Sequence, residues 1–489
     1  MGLIPDKIAP HYKQKEEDFT RKRKLPLSRI IIFILFITAS GKSKGVDGKS
    51  GEFFRNARRS GLWPDAKAVH RCSVSKRRNK VDWKIFEDIF HDAVNLAYEL
   101  WPGSESNDIE SESESEAPQN SNSKYLWKGM SAFAIDGSKY TLPATMEIRK
   151  EFDPKSGFQY KNKGHYPQCL VSTAYDVFRR LPVARTIVPV NSSEREEAKQ
   201  LLKHIPQNNL LLYDRGYPSY ELIKYLNENY CGYYLFRCPA SETFPAVEKF
   251  LESKEQEDII QISPSQKSKK KFPKDERKKL GPIKLRVIRM IAPDGTVSVL
   301  LTNLFDKTQF SRESIIELYF RRWRVEDYYR DEKIYLEVVK FHSKSCNGIR
   351  QELFAALIMS VIARILMVVS STSTSNPNSN SNSPFTSNTN TTSNPNLTPT
   401  LSTTGSKESS PEPGPEPQFK NAVMTIAAEA VVLAPEKPEK AVKIFREILE
   451  EIRRVKYYRP KKPRPSNPRV TKKAKNKWIK GRAKKLKGA

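Results

Sequence analysis

The chain has 489 residues, and its 85 Lys and Arg against 56 Asp and Glu give a formal net charge of +29 at pH 7. A balance this basic favours a polyanionic partner, and the length predicts several domains. The five cysteines are scattered without a CxxC pair, which argues against a disulfide-rich secreted module and fits a reducing cytoplasm. The sequence contains no P-loop, so it gives no support for ATP-dependent chemistry.

Residues 1–103 are expected to be mostly helical and basic. The apolar run Ile30–Ile37 is too short to span a bilayer, so we interpret it as a buried helix. An amphipathic helix is predicted over 85–100, because apolar residues recur there on one helix face. Several Lys and Arg between positions 71 and 80 precede this helix and give the region a basic character.

Two segments, 104–125 and 370–418, are predicted to be disordered linkers. The first is acidic and Ser-rich, and the second is rich in Ser, Thr, Asn and Pro. Beyond them we expect a helical segment over 419–458 and a basic tail over 459–489. The tail carries many Lys and Arg and no acidic residue, so we expect it to neutralise DNA phosphates without reading sequence.

The stretch 126–239 has the pattern of an α/β domain. Alternating and short apolar runs predict strands, and the periodic segments between them predict helices, one with Ser193 as N-cap and one opened by Pro218. Three strands followed by alternating helices and strands is the order of a ribonuclease H-like fold. We therefore predict an α/β ribonuclease H-like core in two parts, 126–239 and 311–369, separated by a strand-rich insertion at 240–310. The predicted strands lie at about 132–142, 168–176, 182–189, the run that ends at Asp214, and 231–238.

Two aspartates stand at strand ends in this pattern. Asp136 follows an alternating apolar strand and precedes Gly137, and Asp214 closes a second apolar run. Open α/β sheets place their sites at the carboxyl ends of buried strands, and a glycine lets a ligand approach the backbone. Either aspartate alone is more often a turn or cap residue.

A helix-like stretch carries the remaining candidates. Tyr319, Arg322, Glu326 and Lys333 fall within roughly 60° of one helix face at about 100° per residue. A solvated charged face with ordinary i,i+4 pairs would explain these charges alone. With the two aspartates, Glu326 completes a three-carboxylate set suited to two Mg²⁺ ions, and the flanking cations are suited to gripping a phosphate. Oxygen ligands without a thiolate or imidazole cluster favour Mg²⁺ or Mn²⁺ over zinc.

These residues resemble the motifs of a known family. The four helix residues match the signature Y-x2-R-x3-E-x6-K at every position, while Asp136 stands in Ile-Asp-Gly-Ser and Asp214 in Asp-Arg-Gly-Tyr. Over about residues 126–368 the chain resembles a DDE transposase of prokaryotic insertion sequences, in the insertion sequence 4 family. In some relatives a tryptophan before the catalytic glutamate serves a hairpin step, but this chain has no Trp between Asp214 and Tyr319.

The resemblance implies a function and a role for each residue. A family member binds the terminal inverted repeats of its own element, cuts the DNA with metal assistance and joins the 3′-hydroxyl to target DNA, which is cut-and-paste transposition. Residues 1–103 would bind the repeats, in a helix-turn-helix-like manner. The implied partners are double-stranded DNA and a second copy, as a homodimer in the synaptic complex, with no membrane and no ATP, at the nucleoid in the cytoplasm. The implied catalytic and metal-binding residues are Asp136, Asp214 and Glu326, with two Mg²⁺ or Mn²⁺ ions, and the implied phosphate-binding residues are Tyr319, Arg322 and Lys333.

Two other classes of protein remain open from the sequence. One is a non-catalytic DNA-binding protein derived from a transposase, against which the intact set of three carboxylates argues. The other is a ribonuclease H-like nuclease, against which Arg322, Lys333 and the strand-rich insertion argue. Inverted repeats and a target duplication around the gene would decide between these classes.

Overall fold

The computed structural model describes residues 4, 9–21, 24–41, 45–101, 125–154, 166–239, 241, 244–291, 295–372 and 416–457. The predicted acidic linker at 104–125, except Tyr125, and the predicted basic tail at 459–489 therefore lie outside the described residues. Most of the second predicted linker does as well, but both of its ends are structured. A helix continues to Thr372, and a short strand begins at Glu416, because these residues pack on the helical segment described below.

The described ranges contain ten strands and fifteen α-helices. The strands are β1 Ala132–Thr141, β2 Gln168–Asp176, β3 Leu181–Pro189, β4 Leu210–Tyr213, β5 Tyr233–Cys238, β6 Glu257–Ile262, β7 Ile283–Ile291, β8 Val297–Thr302, β9 Glu416–Pro417 and β10 Lys456–Tyr457. The helices are α1 Leu27–Ala39, α2 Val46–Arg59, α3 Arg71–Arg78, α4 Lys84–Leu100, α5 Met146–Phe152, α6 Glu194–Leu201, α7 Tyr220–Asn229, α8 Pro245–Glu252, α9 Gln266–Lys269, α10 Lys274–Arg277, α11 Arg312–Phe320, α12 Arg324–Ile334, α13 Cys346–Thr372, α14 Phe419–Ala428 and α15 Pro438–Arg454. Short 3₁₀ helices occur at Pro10–Tyr12, Leu202–His204, Arg321–Trp323 and Ala430–Leu433.

Strands β1 to β8 form one eight-stranded mixed sheet, in the order β3-β2-β1-β4-β5-β8-β7-β6. Strands β1 to β3 are antiparallel, whereas β1, β4 and β5 run parallel to one another. The strands β6 to β8 come from the stretch predicted as an insertion, and β8 pairs with β5 in antiparallel orientation. They therefore extend the same sheet at its far edge.

The strand predictions agree with the structure to within two residues, but two helix starts differ in detail. Ser193 is the N-cap residue of α6 as predicted, but its side chain makes no capping hydrogen bond among the described residues. The next helix begins after Ser219 and not at Pro218, because the Ser219 side chain accepts a hydrogen bond from the backbone N–H of Leu222 at 3.2 Å. A serine side chain satisfies a free helical N–H that a proline leaves unpaired.

The helix α13 is the centre of the helical part of the fold. It packs against α1, α4, α14, α15 and strand β3. By length and composition Cys346–Ser371 is apolar enough to cross a membrane, but 83% of its most apolar window is buried inside this protein, as in a core helix. The apolar run Ile30–Ile37 lies in α1 and is fully buried, which confirms the predicted buried helix.

A buried ion pair fastens α12 to the sheet. Both oxygens of Glu332 accept hydrogen bonds from the Arg185 guanidinium of β3, at 2.7 and 3.0 Å, and both side chains are fully buried. The hydroxyl of Tyr140 in β1 also donates to Glu332. On the same helix, the Tyr329 hydroxyl donates to the backbone carbonyl of Asp136 at 2.8 Å. Since buried charges are stable only when they are paired, these contacts fix the helix in one position on β1 and β3.

We predict that Glu332→Ala strongly destabilises the protein, because it leaves the Arg185 charge buried without a partner. The expected loss in the free energy of unfolding is about 3–5 kcal/mol, measured by urea denaturation. As a control, Glu317→Ala removes an exposed ion pair with Arg321 and should cost no more than about 1 kcal/mol. The double change Arg185→Met with Glu332→Leu should recover most of the loss, and equal costs for the two single glutamate changes would contradict the anchoring role.

Candidate active site

The two predicted aspartates lie side by side on adjacent parallel strands. The parallel pairing of β1 with β4 ends at the pair Ile135 and Tyr213, and the next residue on each strand is Asp136 or Asp214. Neighbouring strands are about 4.8 Å apart, so both carboxyl groups emerge at the same edge. One expectation is wrong, since Asp136 is not at the end of its strand. β1 continues to Thr141 because β2 pairs with it beyond the point where β4 stops.

The predicted single helix that carries the other four residues is interrupted. α11 ends at Phe320, a 3₁₀ turn spans Arg321–Trp323, and α12 begins at Arg324. In a 3₁₀ turn residues three apart lie over one another, and here Tyr319 and Arg322 both point inward and are buried. The change of winding therefore brings the phenol and the guanidinium to the same side. In a regular α-helix these two side chains would be offset from each other by about 60°.

Arg322 is a buried cation at the centre of the site. Its Nη2 donates to Oε1 of Glu326 at 2.7 Å, and the side chain is only 4% exposed. Its Nε and Nη1 groups are also buried, as is the hydroxyl of Tyr319, and none of the three has a hydrogen-bond partner among the described residues. Burial raises the pKa of Tyr319 to about 12, so the phenol keeps its proton at neutral pH. Buried donors without partners are costly, so these three groups are suited to an anionic ligand.

Lys333 also lies against β1, but it is not beside Arg322. Its Nζ donates to Oγ of Ser138 at 2.6 Å and to the carbonyl of Lys139 at 3.2 Å, and it lies over the Tyr140 ring. Burial lowers the pKa of the Lys333 ammonium group. The structure thus places this cation two residues along β1 from Asp136, with Arg322 near Glu326 on the other side.

The other two carboxylates lie close enough to Asp136 to affect its titration. Burial raises the pKa of Asp136 to about 7, the positive charge of Arg322 opposes that rise, and the charges of Asp214 and Glu326 add to it. Such a site has a deficit of positive charge, which a bound cation would correct.

Sequence reasoning did not find two further residues near these carboxylates. Glu194, the first residue of α6, lies against Gly137, and its pKa is raised by burial and by the charge of Asp214. The Tyr217 hydroxyl is buried, and its pKa is raised well above the usual value, first by burial and then by the charges of Asp136 and Glu194. Neither residue belongs to the family signature. The available signal was positional, since Glu194 begins the helix after β3 and Tyr217 stands three residues after Asp214.

The donor set suits a hard divalent cation. Carboxylate oxygens are the ligands that Mg²⁺ and Mn²⁺ prefer, and Asp136 and Asp214 present theirs at one sheet edge. Within the described ranges, no three carboxylate, imidazole or thiolate side chains lie close enough to enclose an ion. One reason is visible in the geometry, because Arg322 holds one of the two oxygens of Glu326. The residues therefore fit an open site, in which water and DNA would supply further ligands.

A sheet edge that combines carboxylates with buried, unpaired N–H and O–H donors is typical of metal-dependent phosphoryl-transfer enzymes. Comparison with known proteins gives the same class. Residues 127–362 match the family model described as the transposase DDE domain. These residues, a little under half of the chain, are similar to that family, and together with two curated relatives they confirm the predicted resemblance to a DDE transposase of the insertion sequence 4 family.

Two curated relatives from Escherichia coli (strain K12) are similar to the chain. Transposase InsG for insertion sequence element IS4 is 25% identical over 245 residues, which cover 50% of this chain and 53% of that protein. Putative transposase InsZ is 28% identical over 106 residues, which cover 22% of this chain and 35% of that protein. The chain thus matches about half of the first relative and about a third of the second.

Among solved structures, a piggyBac transposase synaptic complex with hairpin DNA covers 89% of this chain and 79% of its own, at 10% identity. The TM-score of this match is 0.39.

We predict that part of the stability of the metal-free protein falls as pH rises from about 5 to 8. The pKa of Asp136 is higher in the folded state than in the unfolded chain, so folding favours its protonated form, and this contribution is lost as pH passes through about 7. Urea unfolding in EDTA should show a decline on the order of 2 kcal/mol that Asp136→Asn lacks. The same pH slope in both proteins would contradict the electrostatic picture, and Mn²⁺ should stabilise only the wild type strongly at pH 8.

Proposed function

We propose that this protein is a transposase that binds the terminal inverted repeats of an insertion sequence and catalyses metal-dependent DNA cleavage and strand transfer. The observation that carries the proposal is the meeting of Asp136, Asp214 and Glu326 beside the buried donors of Arg322 within a transposase DDE domain. Cut-and-paste movement follows from the chemistry of the family. A site that only bound DNA would have no need to bring three mutually repelling carboxylates together.

The sheet supports a ribonuclease H-like core as the scaffold. The chain order β1, β2, β3, α6, β4, α7, β5 is the order predicted for such a core, and these five strands are adjacent in the sheet as β3-β2-β1-β4-β5. Asp136 lies on β1, and Asp214 directly follows β4, its parallel neighbour. The three insertion strands lengthen the sheet away from the site.

DDE transposases generally use divalent metal ions, and we propose Mg²⁺ or Mn²⁺, two per site. When bound, such ions stabilise the attacking and leaving oxygens of an in-line displacement at phosphorus. Asp136 and Asp214 would hold them from the sheet, and Glu326 would do so from α12. The free oxygen of Glu326 is suited to this, since its other oxygen accepts from Arg322.

The chain's own donors would hold the reacting phosphate. The Nε and Nη1 groups of Arg322 are buried and unpaired among the described residues, so the guanidinium can donate to phosphate oxygen while its Nη2 pairs with Glu326. The Tyr319 hydroxyl would donate a third hydrogen bond. Lys333, tied to Ser138 and Lys139, would act on the DNA from the other side of Asp136.

The proposed partners are double-stranded DNA, as terminal repeats and as target, and a second copy of the chain in the synaptic complex. No role for ATP or a membrane is proposed, and the nucleoid in the cytoplasm would be the place of action. The region 1–103 would bind the repeats. Some of its Lys and Arg side chains contact other parts of the protein, so fewer of them are available to DNA than the composition suggests. Arg78 is buried against Glu352, Arg77 lies over Phe19, and Lys80 pairs with Asp18.

We predict that Glu326→Gln abolishes nicking of a terminal-repeat duplex in Mg²⁺ while DNA binding persists, because the amide removes the anionic metal ligand. Asp136→Asn and Asp214→Asn should behave alike. Asp327→Asn is the matched control, since its neighbouring exposed carboxylate pairs with Arg330 and should cut like wild type. Nicking by Glu326→Gln at the wild-type rate would show that the residue is not a ligand. Normal nicking by all three variants would mean that the protein is a nuclease or a DNA-binding protein whose functional site lies elsewhere.

We also predict that Arg322→Lys slows strand joining by about tenfold or more, equivalent to about 1.4 kcal/mol, because an ammonium group cannot copy a planar two-point grip. Single-turnover joining of a pre-cleaved end at saturating Mn²⁺ measures the effect. Arg321→Lys is the control, because that adjacent arginine makes only an exposed pair with Glu317. Since both changes keep the charge, equal joining rates would leave Arg322 a purely electrostatic role.

A further inference from the structure

A fourth acidic side chain lies beside the predicted metal ligands. Glu194 begins α6, which packs on β1, β2 and β3. A Cβ atom on Gly137 would stand 2.8 Å from its carboxyl carbon and 3.1 Å from its Oε1. The carboxylate therefore occupies the space that a side chain at position 137 would take, and Gly137 is the residue next to Asp136. The Glu194 carboxylate is thus held against the strand that carries the first aspartate.

The Glu194 carboxylate forms no ion pair in the described part of the chain, although the charge of Lys139 opposes the rise of its pKa. Glu196, two residues further along α6, pairs with Lys199 at 2.8 Å. The neighbouring Arg195 turns away from Glu194 and donates to the carbonyls of Gly216 and Pro218. A half-buried, unpaired carboxylate next to other carboxylates costs free energy unless a cation offsets it.

A second and independent feature points into the same space. The Tyr217 side chain is 1% exposed, and its hydroxyl has no hydrogen-bond partner among the described residues. The charges of Asp136, Glu194 and Asp214 all act on it. A buried hydroxyl without a partner costs about 1–3 kcal/mol, and a ligand bound beside it would remove that cost. Magnesium-like ions keep several of their waters in proteins, and such a water can donate to the phenolic oxygen.

We propose that Glu194 is a fourth carboxylate of the divalent-metal site, acting on the side of Asp136 and Asp214, and that the Tyr217 hydroxyl accepts a hydrogen bond from a metal-bound water. This inference rests on the proposed function. It resolves a shortage of ligands, because Arg322 occupies one oxygen of Glu326 and leaves few protein oxygens for two ions. Glu194 adds a carboxylate ligand beside Gly137, on the side of the two aspartates.

The test measures metal binding without any catalytic readout. Mn²⁺ is titrated into the purified full chain without DNA, and bound ions are counted and their affinities obtained by electron paramagnetic resonance and calorimetry. Glu194→Gln should weaken one Mn²⁺ by at least about tenfold or remove it. Glu196→Gln carries the same change on the same helix turn and should stay within about twofold of wild type. Tyr217→Phe should weaken binding less than Glu194→Gln, because it removes only a contact to water.

The outcomes separate this inference from the proposed function. If Glu194→Gln binds Mn²⁺ like Glu196→Gln while Asp136→Asn binds it weakly, the fourth carboxylate is overturned and the three-carboxylate site stands. If Asp136→Asn, Asp214→Asn and Glu194→Gln all bind like wild type, or if wild type binds no Mn²⁺, the metal site itself is overturned and both proposals fall. Thermal unfolding in EDTA checks that every variant is folded, and Glu194→Asp, which keeps the charge on a shorter side chain, should retain more affinity than Glu194→Gln.

Discussion

The geometry of the candidate site depends on contacts that hold α12 on the sheet, made by residues outside the proposed set of site residues. Glu332 is bonded through both oxygens to Arg185 and through one to Tyr140, so α12 is tied to β3 and β1 at once. The hydroxyl of Tyr329 adds a bond to the carbonyl of Asp136 itself. Glu326 lies less than two turns before Glu332 on the same helix, and its position relative to the aspartates is therefore set by a buried ion pair.

That anchoring is needed because the groups it brings together repel one another. Asp136 shares its surroundings with Asp214 and Glu326, and its pKa of about 7 reflects partial burial and these charges. Arg322 reduces the repulsion from within, since it is buried and pairs with Glu326. A buried arginine with two unpaired N–H groups fits the proposed site, because it offsets the carboxylates and still has donors for the phosphate that we propose it binds.

The basic composition has a different meaning in different parts of the chain. Several cationic side chains before α4 contact other parts of the protein. The clearest case is the buried ion pair of Arg78 with Glu352. That pair joins α3 to α13, so part of the N-terminal charge stabilises the fold. A net charge of +29 therefore indicates a polyanionic partner for the protein as a whole without identifying the surface that binds it.

The order of strands and helices was predictable from the sequence, because strand and helix periodicities are local properties of the chain. The spacing of Tyr319, Arg322, Glu326 and Lys333 is local as well, and together with the two aspartates it led to the proposed site. The sequence also indicated the buried nature of α1, since eight apolar residues in a row have no other stable place in water. Local rules failed where a stronger local partner was present, as at Ser219, whose hydroxyl caps the helix that Pro218 was expected to open.

Features that depend on contacts between residues distant in sequence became visible only in the tertiary structure. The 3₁₀ turn at Arg321–Trp323 arises where Tyr319 and Arg322 must both be buried against the sheet, and no local pattern requires it. The Arg185–Glu332 pair joins residues 147 positions apart, and Glu194 meets Gly137 only because α6 folds back over β1. Neither a sequence period nor a motif predicts these long-range contacts. The free energy that stabilises them comes from packing and charge pairing across the whole sheet.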